Sequence, residues 1–267
     1  SFNSPLIYSL QTKFNLPHSQ ILKVAYGKGF RAPSLKELFL DFNDSRHEVF
    51  GNENLMAEES HSFTTSYTKY YTYEDLEFSS TIDGFYNHII NKIELLVAGP
   101  IQAKYGNIGL FESLGGEYNQ KVVYNNLKLN TSFTYTGTFN GVEGDKRDFN
   151  FSPQVVIQPG ISIKKTKTDI NVFFNYFGAL QRVFSDTTSD ITSVQMQDPY
   201  SMMDVSVSQV LLKKRLRVSA GLRNLFNVVN INSQMQEVGA HTPSTSFVSI
   251  SPGRTFFISA RYEIFKQ

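Results

Sequence analysis

The sequence of 267 residues contains no cysteine and no tryptophan, and neither sign of charge is in clear excess. Without cysteine there are no disulfide bonds, no thiolate chemistry and no cysteine ligands for a metal. The formal net charge of +1 provides no general attraction for nucleic acid, so we exclude nucleic acid as a partner.

Long apolar runs are also missing. No segment approaches the roughly 18 consecutive apolar residues that a membrane-spanning helix requires. The N-terminal stretch SFNSPLIYSL lacks the basic start and apolar core of a signal peptide. The protein is therefore either soluble or crosses a membrane as β-strands.

Residue patterns for catalysis are scarce. The five histidines are scattered along the chain at positions 18, 47, 61, 88 and 241. The sequence has no nucleophile elbow, no metal-binding histidine pair and no phosphate-binding loop. We expect a protein that is not an enzyme and that has no cofactor.

The sequence is rich in period-two alternation, which predicts half-buried β-strands. In the final stretch SPGRTFFISARYEIFKQ, Phe256, Ile258 and Tyr262 alternate with polar residues, and similar patterns recur throughout. About eleven such segments start near residues 5, 20, 61, 76, 109, 127, 151, 168, 200, 215 and 253. The only segment with helical character is a short turn within residues 33–42.

The connections between these segments alternate in length. Short turns fall at NLPHS, YTYED, YNN, KKTKTD and LKKR, and long segments span roughly residues 30–60, 93–108, 138–150, 179–199 and 229–251. This order places all tight turns at one end of the sheet and all long loops at the other. It predicts an up-and-down meander with one functional rim.

Strands of about ten residues with one apolar face, and with Tyr and Phe near strand ends, are typical of outer-membrane barrels. A soluble β-sandwich with the apolar face turned inward is the alternative. We predict an all-β fold, an antiparallel up-and-down transmembrane β-barrel. Because eleven is odd and such barrels have an even number of strands, the chain is expected to form the C-terminal half of a 22-stranded barrel.

Four short motifs lie at strand ends in a fixed order. They are GKGFRAPSLKELF with Arg31, Ala32 and Pro33; GNENLMAEES with Gly51, Asn52, Leu55 and Glu58; GLRNLFNVVNI with Asn224, Leu225 and Phe226; and SPGRTFF with Pro252, Gly253 and Arg254. Together they resemble the barrel of TonB-dependent outer-membrane receptors. Two prolines of the family's second motif are replaced here by Glu53 and Ala57.

The resemblance implies energised import of a scarce nutrient complex across the bacterial outer membrane. The implied substrate is a ferric siderophore or haem, with cobalamin as the nearest alternative. Residues 1–267 would be the C-terminal part of the barrel, without the plug domain and the N-terminal strands. Its partners would be those missing parts, TonB through the N-terminal part, and outer-membrane lipid. A passive porin or an adhesion barrel is the alternative function.

Four residues are candidates for contact with the nutrient complex: Arg31, Arg46, His47 and Glu58. Arg31 and Glu58 flank the longest loop, so they either pair across its base or contact the ligand. The resemblance implies a haem-ligand role for His47, since haem receptors of this family carry a histidine between the first two motifs, and imidazole binds iron. A solvated loop histidine is the alternative.

Four arginines are expected on the lumen-facing side, where their ordinary role is to pair with carboxylates in a wet interior. They are Arg215, Arg217, Arg223 and Arg261, near Asp204 and Glu263.

Overall fold

A computed structural model of the chain describes residues 4–44, 48–97, 102–141, 148–186, 191–212, 215–236 and 245–264. Strands dominate these ranges, and the helix α1 (Leu35–Phe39) is five residues long. The predictions of an all-β fold and of a short helical turn within residues 33–42 are both confirmed.

Eleven strands form one antiparallel meander, in which each strand pairs with the next one along the path. They are β1 (Ser9–Leu16), β2 (Gln20–Arg31), β5 (Glu58–Tyr73), β6 (Leu76–Val97), β7 (Gln102–Tyr124), β8 (Leu127–Gly141), β9 (Asn150–Ile163), β10 (Thr168–Phe177), β13 (Tyr200–Leu211), β14 (Leu216–Arg223) and β17 (Thr255–Tyr262). The predicted count and the up-and-down order are confirmed.

Five tight turns join these strands at one end of the sheet, which we call the turn end. The strands β5 and β6 are separated by only Glu74 and Asp75, and β7 and β8 by only Asn125 and Asn126. Glu74 and Asn125 have positive φ angles of 50° and 55°. Two-residue hairpin turns require such angles, because their backbone twist then matches that of the strands.

The opposite end, which we call the rim, carries the other connections. Between β2 and β5 lie α1 and a small hairpin of β3 (Asp41–Asn43) and β4 (Glu48–Phe50), and β4 also pairs in parallel with the start of β7. The predicted loops 179–199 and 229–251 contain a separate four-stranded sheet. Its strands are β11 (Leu180–Asp186), β12 (Ile191–Gln197), β15 (Asn230–Gln236) and β16 (Thr245–Ser249).

One predicted connection is wrong. The segment 93–108 is not a long loop, because β6 continues to Val97 and β7 begins at Gln102. These two strands have 22 and 23 residues, about twice the length that crosses a bilayer in a barrel. Beyond the residues that pair with β5 and β8, the segment after β4 is hydrogen-bonded to these two strands. Ile93 and Ile108 lie there on opposite faces, and both are buried. Apolar residues therefore occupy both faces there, which removes the alternation that marks a strand.

The two faces of the sheet differ in chemistry. The apolar face carries Leu129, Phe133 and Ile258, and the last two are 47% and 82% exposed. The polar face carries pairs such as Asn119 with Glu117, whose amide nitrogen and carboxylate oxygen are 2.6 Å apart.

Buried apolar side chains are few in the part of the chain that the structure describes. They are Leu55, Ile93, Ile108, Phe139 and Ile231. The apolar stripes of the strands thus point away from any closed core, as a lipid-facing surface requires and a soluble sandwich does not. Separately, no described helix is long and apolar enough to cross a bilayer.

Candidate functional site

The base of the rim connection between β2 and β5 is closed by an arginine between two carboxylates. Arg31 and Glu58 are the last paired residues of β2 and β5. The Nε and Nη2 atoms of Arg31 each donate to one oxygen of Glu58 at 2.7 Å, and its Nη1 donates to both oxygens of Glu37 at 2.9 Å. Arg31 and Glu58 therefore pair across the base, which is one of the two alternatives from the sequence, and Glu37 completes the pairing.

The local sequence explains why Glu37 reaches this arginine. Ser34 is the N-cap of α1: its hydroxyl accepts from the backbone of Glu37, and its own N–H donates to the Glu37 carboxylate at 2.7 Å. This reciprocal capping box is encoded by the spacing Ser-x-x-Glu. The buried Pro33 precedes the cap and ends β2. The cap thus fixes the carboxylate that holds Arg31.

The three charges shift one another's proton affinities at the rim. The hydrogen bonds to Glu58 raise the pKa of Arg31 above its ordinary value. Burial on its own would raise the pKa of Glu58, but the hydrogen bonds from Arg31 and from the Ile93 N–H outweigh it, so the pKa lies below its ordinary value. The pKa of Glu37 is lowered in the same way: the bonds from Ser34 and Arg31 outweigh its burial. All three groups are therefore charged at neutral pH.

The second motif holds the end of the connection against the sheet. Gly51 donates its N–H to the Leu40 carbonyl at 2.6 Å, and a Cβ at this position would lie only 2.6 Å from the Leu38 carbonyl. Only glycine fits this close approach. Asn52 donates to the Tyr105 carbonyl of β7 at 3.1 Å. Leu55 is 3% exposed and is thus one of the few buried apolar side chains among the described residues.

Asn107 on β7 extends the same attachment. Its amide oxygen accepts from the Met56 N–H at 2.8 Å, and its amide nitrogen donates to the carbonyls of Met56 and Asn91. Asn91 has a φ of 55° and lies between paired residues of β6 and β7 that skip it. The register of β6 and β7 is the same on both sides of Asn91, so the ladder is interrupted opposite Gly109 without an inserted residue, and the Asn91 carbonyl accepts from Asn107 at 2.6 Å.

The third and fourth motifs meet at the rim ends of β14 and β17. Asn224 is 2% exposed and has a φ of 51°. Its side chain accepts from the Val228 N–H at 2.9 Å and donates to the Val228 carbonyl at 2.8 Å and to the Ser251 hydroxyl at 3.1 Å. Its backbone N–H donates to Asp204 on β13 at 2.8 Å. One buried asparagine therefore ties together three segments of the chain.

Arg254 closes the same junction from the last strand. Its Nε and Nη2 donate to the Leu225 carbonyl at 3.1 and 2.6 Å, and its N–H donates to the Asn227 side chain at 2.9 Å. Gly253 has a φ of 94°, a conformation that strongly favours glycine. Phe226 packs edge-on against Phe174 of β10. The motif residues thus anchor the rim end of β17.

Not every candidate residue can be placed. Arg46 and His47 lie outside the described residues. The sequence analysis missed Glu37, Asn107 and Ser251. The capping-box spacing is a signal that identifies Glu37, whereas the other two act through partners about 30 to 50 residues away, for which the sequence has no local signal. Within the described ranges no group of three His, Cys, Asp or Glu side chains is placed to hold a metal ion.

Comparison with known proteins agrees with this fold. A search of curated proteins finds no match. The FrpB iron transporter from Neisseria meningitidis is similar with a TM-score of 0.63 and 14% identity, over 97% of this chain and 38% of that one. The pyoverdine receptor FpvA from Pseudomonas aeruginosa gives 0.62 and 15%, over 97% and 36%. A mutant of the ferric enterobactin receptor PfeA from the same species gives 0.62 and 17%, over 95% and 40%.

At these identities the structural similarity shows the fold, and this chain spans two fifths or less of the length of each of these three proteins. The match of the sequence to a family model is stronger evidence of relationship than these structural similarities. A family model described as TonB dependent receptor-like, beta-barrel, matches residues 6–225, which is most of the chain. The protein belongs to this family of TonB-dependent receptor-like β-barrels.

Proposed function

We propose that this chain is the C-terminal part of an outer-membrane receptor that imports a ferric siderophore or haem by energised transport. The observation that carries the proposal is the open meander with its lipid-compatible face. Within the described part of the chain, β1 and β17 each pair with one neighbour only. In a bilayer each unpaired backbone group at such an edge costs several kcal/mol, so another polypeptide segment closes the sheet.

Strand direction restricts what closes the sheet. In an antiparallel meander of eleven strands, β1 and β17 run in the same direction, toward the turn end. Antiparallel closure therefore needs an odd number of additional strands. A second copy of this chain placed edge to edge would create a parallel pair, and direct pairing of β1 with β17 would as well. N-terminal strands of the same receptor meet the requirement, with a total of 22 as the proposed number.

The family and the names of the similar solved structures support the proposed substrate class. The similar structures include a pyoverdine receptor, an iron transporter and a ferric enterobactin receptor. On this basis we propose that the nutrient is an iron complex, that a plug domain lies inside the barrel, and that TonB supplies the energy. The rim connections would form the extracellular entrance, since loops on a rigid scaffold carry binding specificity.

We assign different roles to two pairs of residues at this entrance. Arg31 and Glu58 bind each other and Glu37, which supports an anchoring role at the base of the connection. Arg46 and His47 lie on the connection that this anchor holds in place. We propose that these two residues contact the iron complex, with His47 as the iron ligand where the complex is haem.

The test uses the full-length receptor from the natural gene. Isothermal calorimetry with haem, ferric siderophores and cobalamin identifies the bound complex, and growth on that complex as sole iron source tests import. We expect binding of an iron complex and TonB-dependent growth. Binding of none of the three classes, or an open ion-conducting pore in planar bilayers, would contradict the proposal and indicate a passive barrel.

A further inference from the structure

A cavity opens on the polar face at the turn end of the last strands. It measures about 290 Å³, room for about ten waters at roughly 30 Å³ each. Four of its six lining residues are cations and one is a carboxylate. The lining residues are Lys167, Val210, Arg215, Arg217, Arg261 and Glu263. The cavity therefore has a surplus of positive charge in a chain whose total charges nearly balance.

Two of these arginines face each other. Arg217 of β14 and Arg261 of β17 are directly paired in the antiparallel register, so their Cβ atoms lie about 5 Å apart. Like charges in this position destabilise a sheet. Val210 of β13 is the direct register partner of Arg217 on its other side. An anion bound beside the pair would offset this repulsion.

The described residues neutralise only part of the positive charge of the cavity. The Nη1 of Arg217 lies 3.3 Å from Asp169 and 3.4 Å from the Ser208 hydroxyl. Within the described part of the chain, Lys167, Arg215 and Arg261 make no ion pair. All three side chains belong to exposed residues around the cavity. Three cations thus remain for a ligand with several negative groups.

We propose that Lys167, Arg215, Arg217 and Arg261 dock an acidic segment of the polypeptide that fills the barrel. This inference rests on the proposed function, which supplies that polypeptide. Guanidinium groups bind carboxylates in pairs of parallel hydrogen bonds, and the two adjacent arginines present such donors side by side. The cations come from three separate parts of the chain, and the cavity is large enough for more than one side chain. An acidic peptide segment satisfies both features better than a single small anion.

A cysteine at the cavity wall reports on occupancy. Because this chain has no cysteine, Val210→Cys is a specific label site in a full-length receptor whose upstream cysteines are replaced by serine. A neutral maleimide is applied from the periplasmic side. We compare this receptor with one that also carries Arg215→Gln and Arg261→Gln. The control carries Lys128→Gln, an exposed cation at the turn end of β8 that is outside the cavity.

We expect the double variant to label about tenfold faster or more, because a factor of ten corresponds to about 1.4 kcal/mol of lost docking energy. The control should label at the parent rate. The direct effect of losing arginine has the opposite sign, since nearby cations favour the reactive thiolate. Faster labelling therefore reports the release of the docked segment. Equal or slower labelling in the double variant overturns the inference.

Inorganic phosphate separates a peptide from a free anion as occupant. If an acidic segment occupies the cavity, phosphate competes with it and accelerates labelling of the parent. If phosphate instead slows labelling of an otherwise unprotected parent, the cavity is a free-anion site and the inference is wrong. A receptor that binds its iron complex normally but shows no charge-dependent protection refutes only this inference. A protein that binds no iron complex refutes the proposed function.

Discussion

Arg31 and Glu58 are 27 residues apart in the sequence and share two hydrogen bonds of 2.7 Å at the last paired position of β2 and β5. The connection between them carries α1, β3, β4 and the second sequence motif. The pair therefore lies where this rim connection leaves and rejoins the sheet. Glu37 binds the same guanidinium, so the helix within the connection is held at this point as well.

Replacing Arg31 by alanine should loosen this connection without unfolding the sheet. Arg31 is 44% exposed, so solvent screens the ion pairs and we expect a loss of about 1 kcal/mol in local stability. The measurement is amide hydrogen exchange in residues 35–57 of the full-length receptor. Lys36→Ala, an exposed residue of the same helix, is the matched control and should leave exchange unchanged. Equal effects of the two substitutions would contradict the anchoring role.

Acidification should release the same connection. The pKa values of Glu37 and Glu58 are lower in the folded state than the ordinary value of about 4.3. Their contribution to stability is therefore complete above about pH 4.3 and is lost as the pH falls through the lowered values. Hydrogen exchange in residues 35–57 should accelerate in that range.

The variant Glu58→Gln provides the control for this acid dependence. It removes one of the two titrating carboxyls, so the connection should exchange faster at neutral pH and respond less to acid. An acid response of the variant as large as that of the parent would assign the effect to other carboxylates.

Substitutions of Asn224 test the junction at β17. Asn224→Gly keeps the positive φ but leaves the Val228 N–H and carbonyl unpaired, at a cost of about 1–3 kcal/mol. Asn224→Ala loses the same bonds and adds about 1 kcal/mol of backbone strain at a φ of 51°. Denaturant titration of the refolded receptor should rank stability as parent, glycine variant, alanine variant. Equal stability of the two variants would show that the backbone conformation contributes nothing.

Two adjacent glycines on opposite faces of β7 give a test of close packing. A Cβ on Gly115 would lie 2.4 Å from the Tyr135 carbonyl and 2.8 Å from the Phe85 ring, whereas one on Gly116 would lie 3.4 Å from the Asp83 carbonyl. Gly115→Ala should destabilise the receptor by about 1–3 kcal/mol, the usual cost of overpacking. Gly116→Ala should have a much smaller effect. The pair is compared by thermal unfolding in detergent, and a larger effect at Gly116 would contradict this packing.

The strands were predictable because one apolar face and one polar face impose a period of two on each of them. Segments such as Leu127–Gly141 lie between tight turns at one end and polar connections at the other, so both the pattern and its ends are visible in the sequence. The extension of β6 and β7 through residues 93–108 was not predictable in the same way. There Ile93 and Ile108 are buried on opposite faces, so apolar residues occur on both.

The candidate site was predictable only where its contacts are local. The spacing of Ser34 and Glu37 predicts the capping box, and the four motifs are recognisable in the sequence as a set. The four-stranded sheet at the rim pairs β12 with β15, segments more than 30 residues apart with polar, weakly alternating sequences. Its pairing depends on how the rim connections meet in space.

The most direct test of the whole account concerns what the apolar face touches. The chain has no tryptophan, so a single one can be placed at Phe133, which is 47% exposed on the apolar face, or at its neighbour Thr134 on the polar face. Any upstream tryptophans are replaced, and the full-length receptor is reconstituted into bilayers of brominated lipid. The account predicts strong quenching of tryptophan fluorescence for Phe133→Trp and little for Thr134→Trp. Stronger quenching at position 134, or none at either, would contradict it.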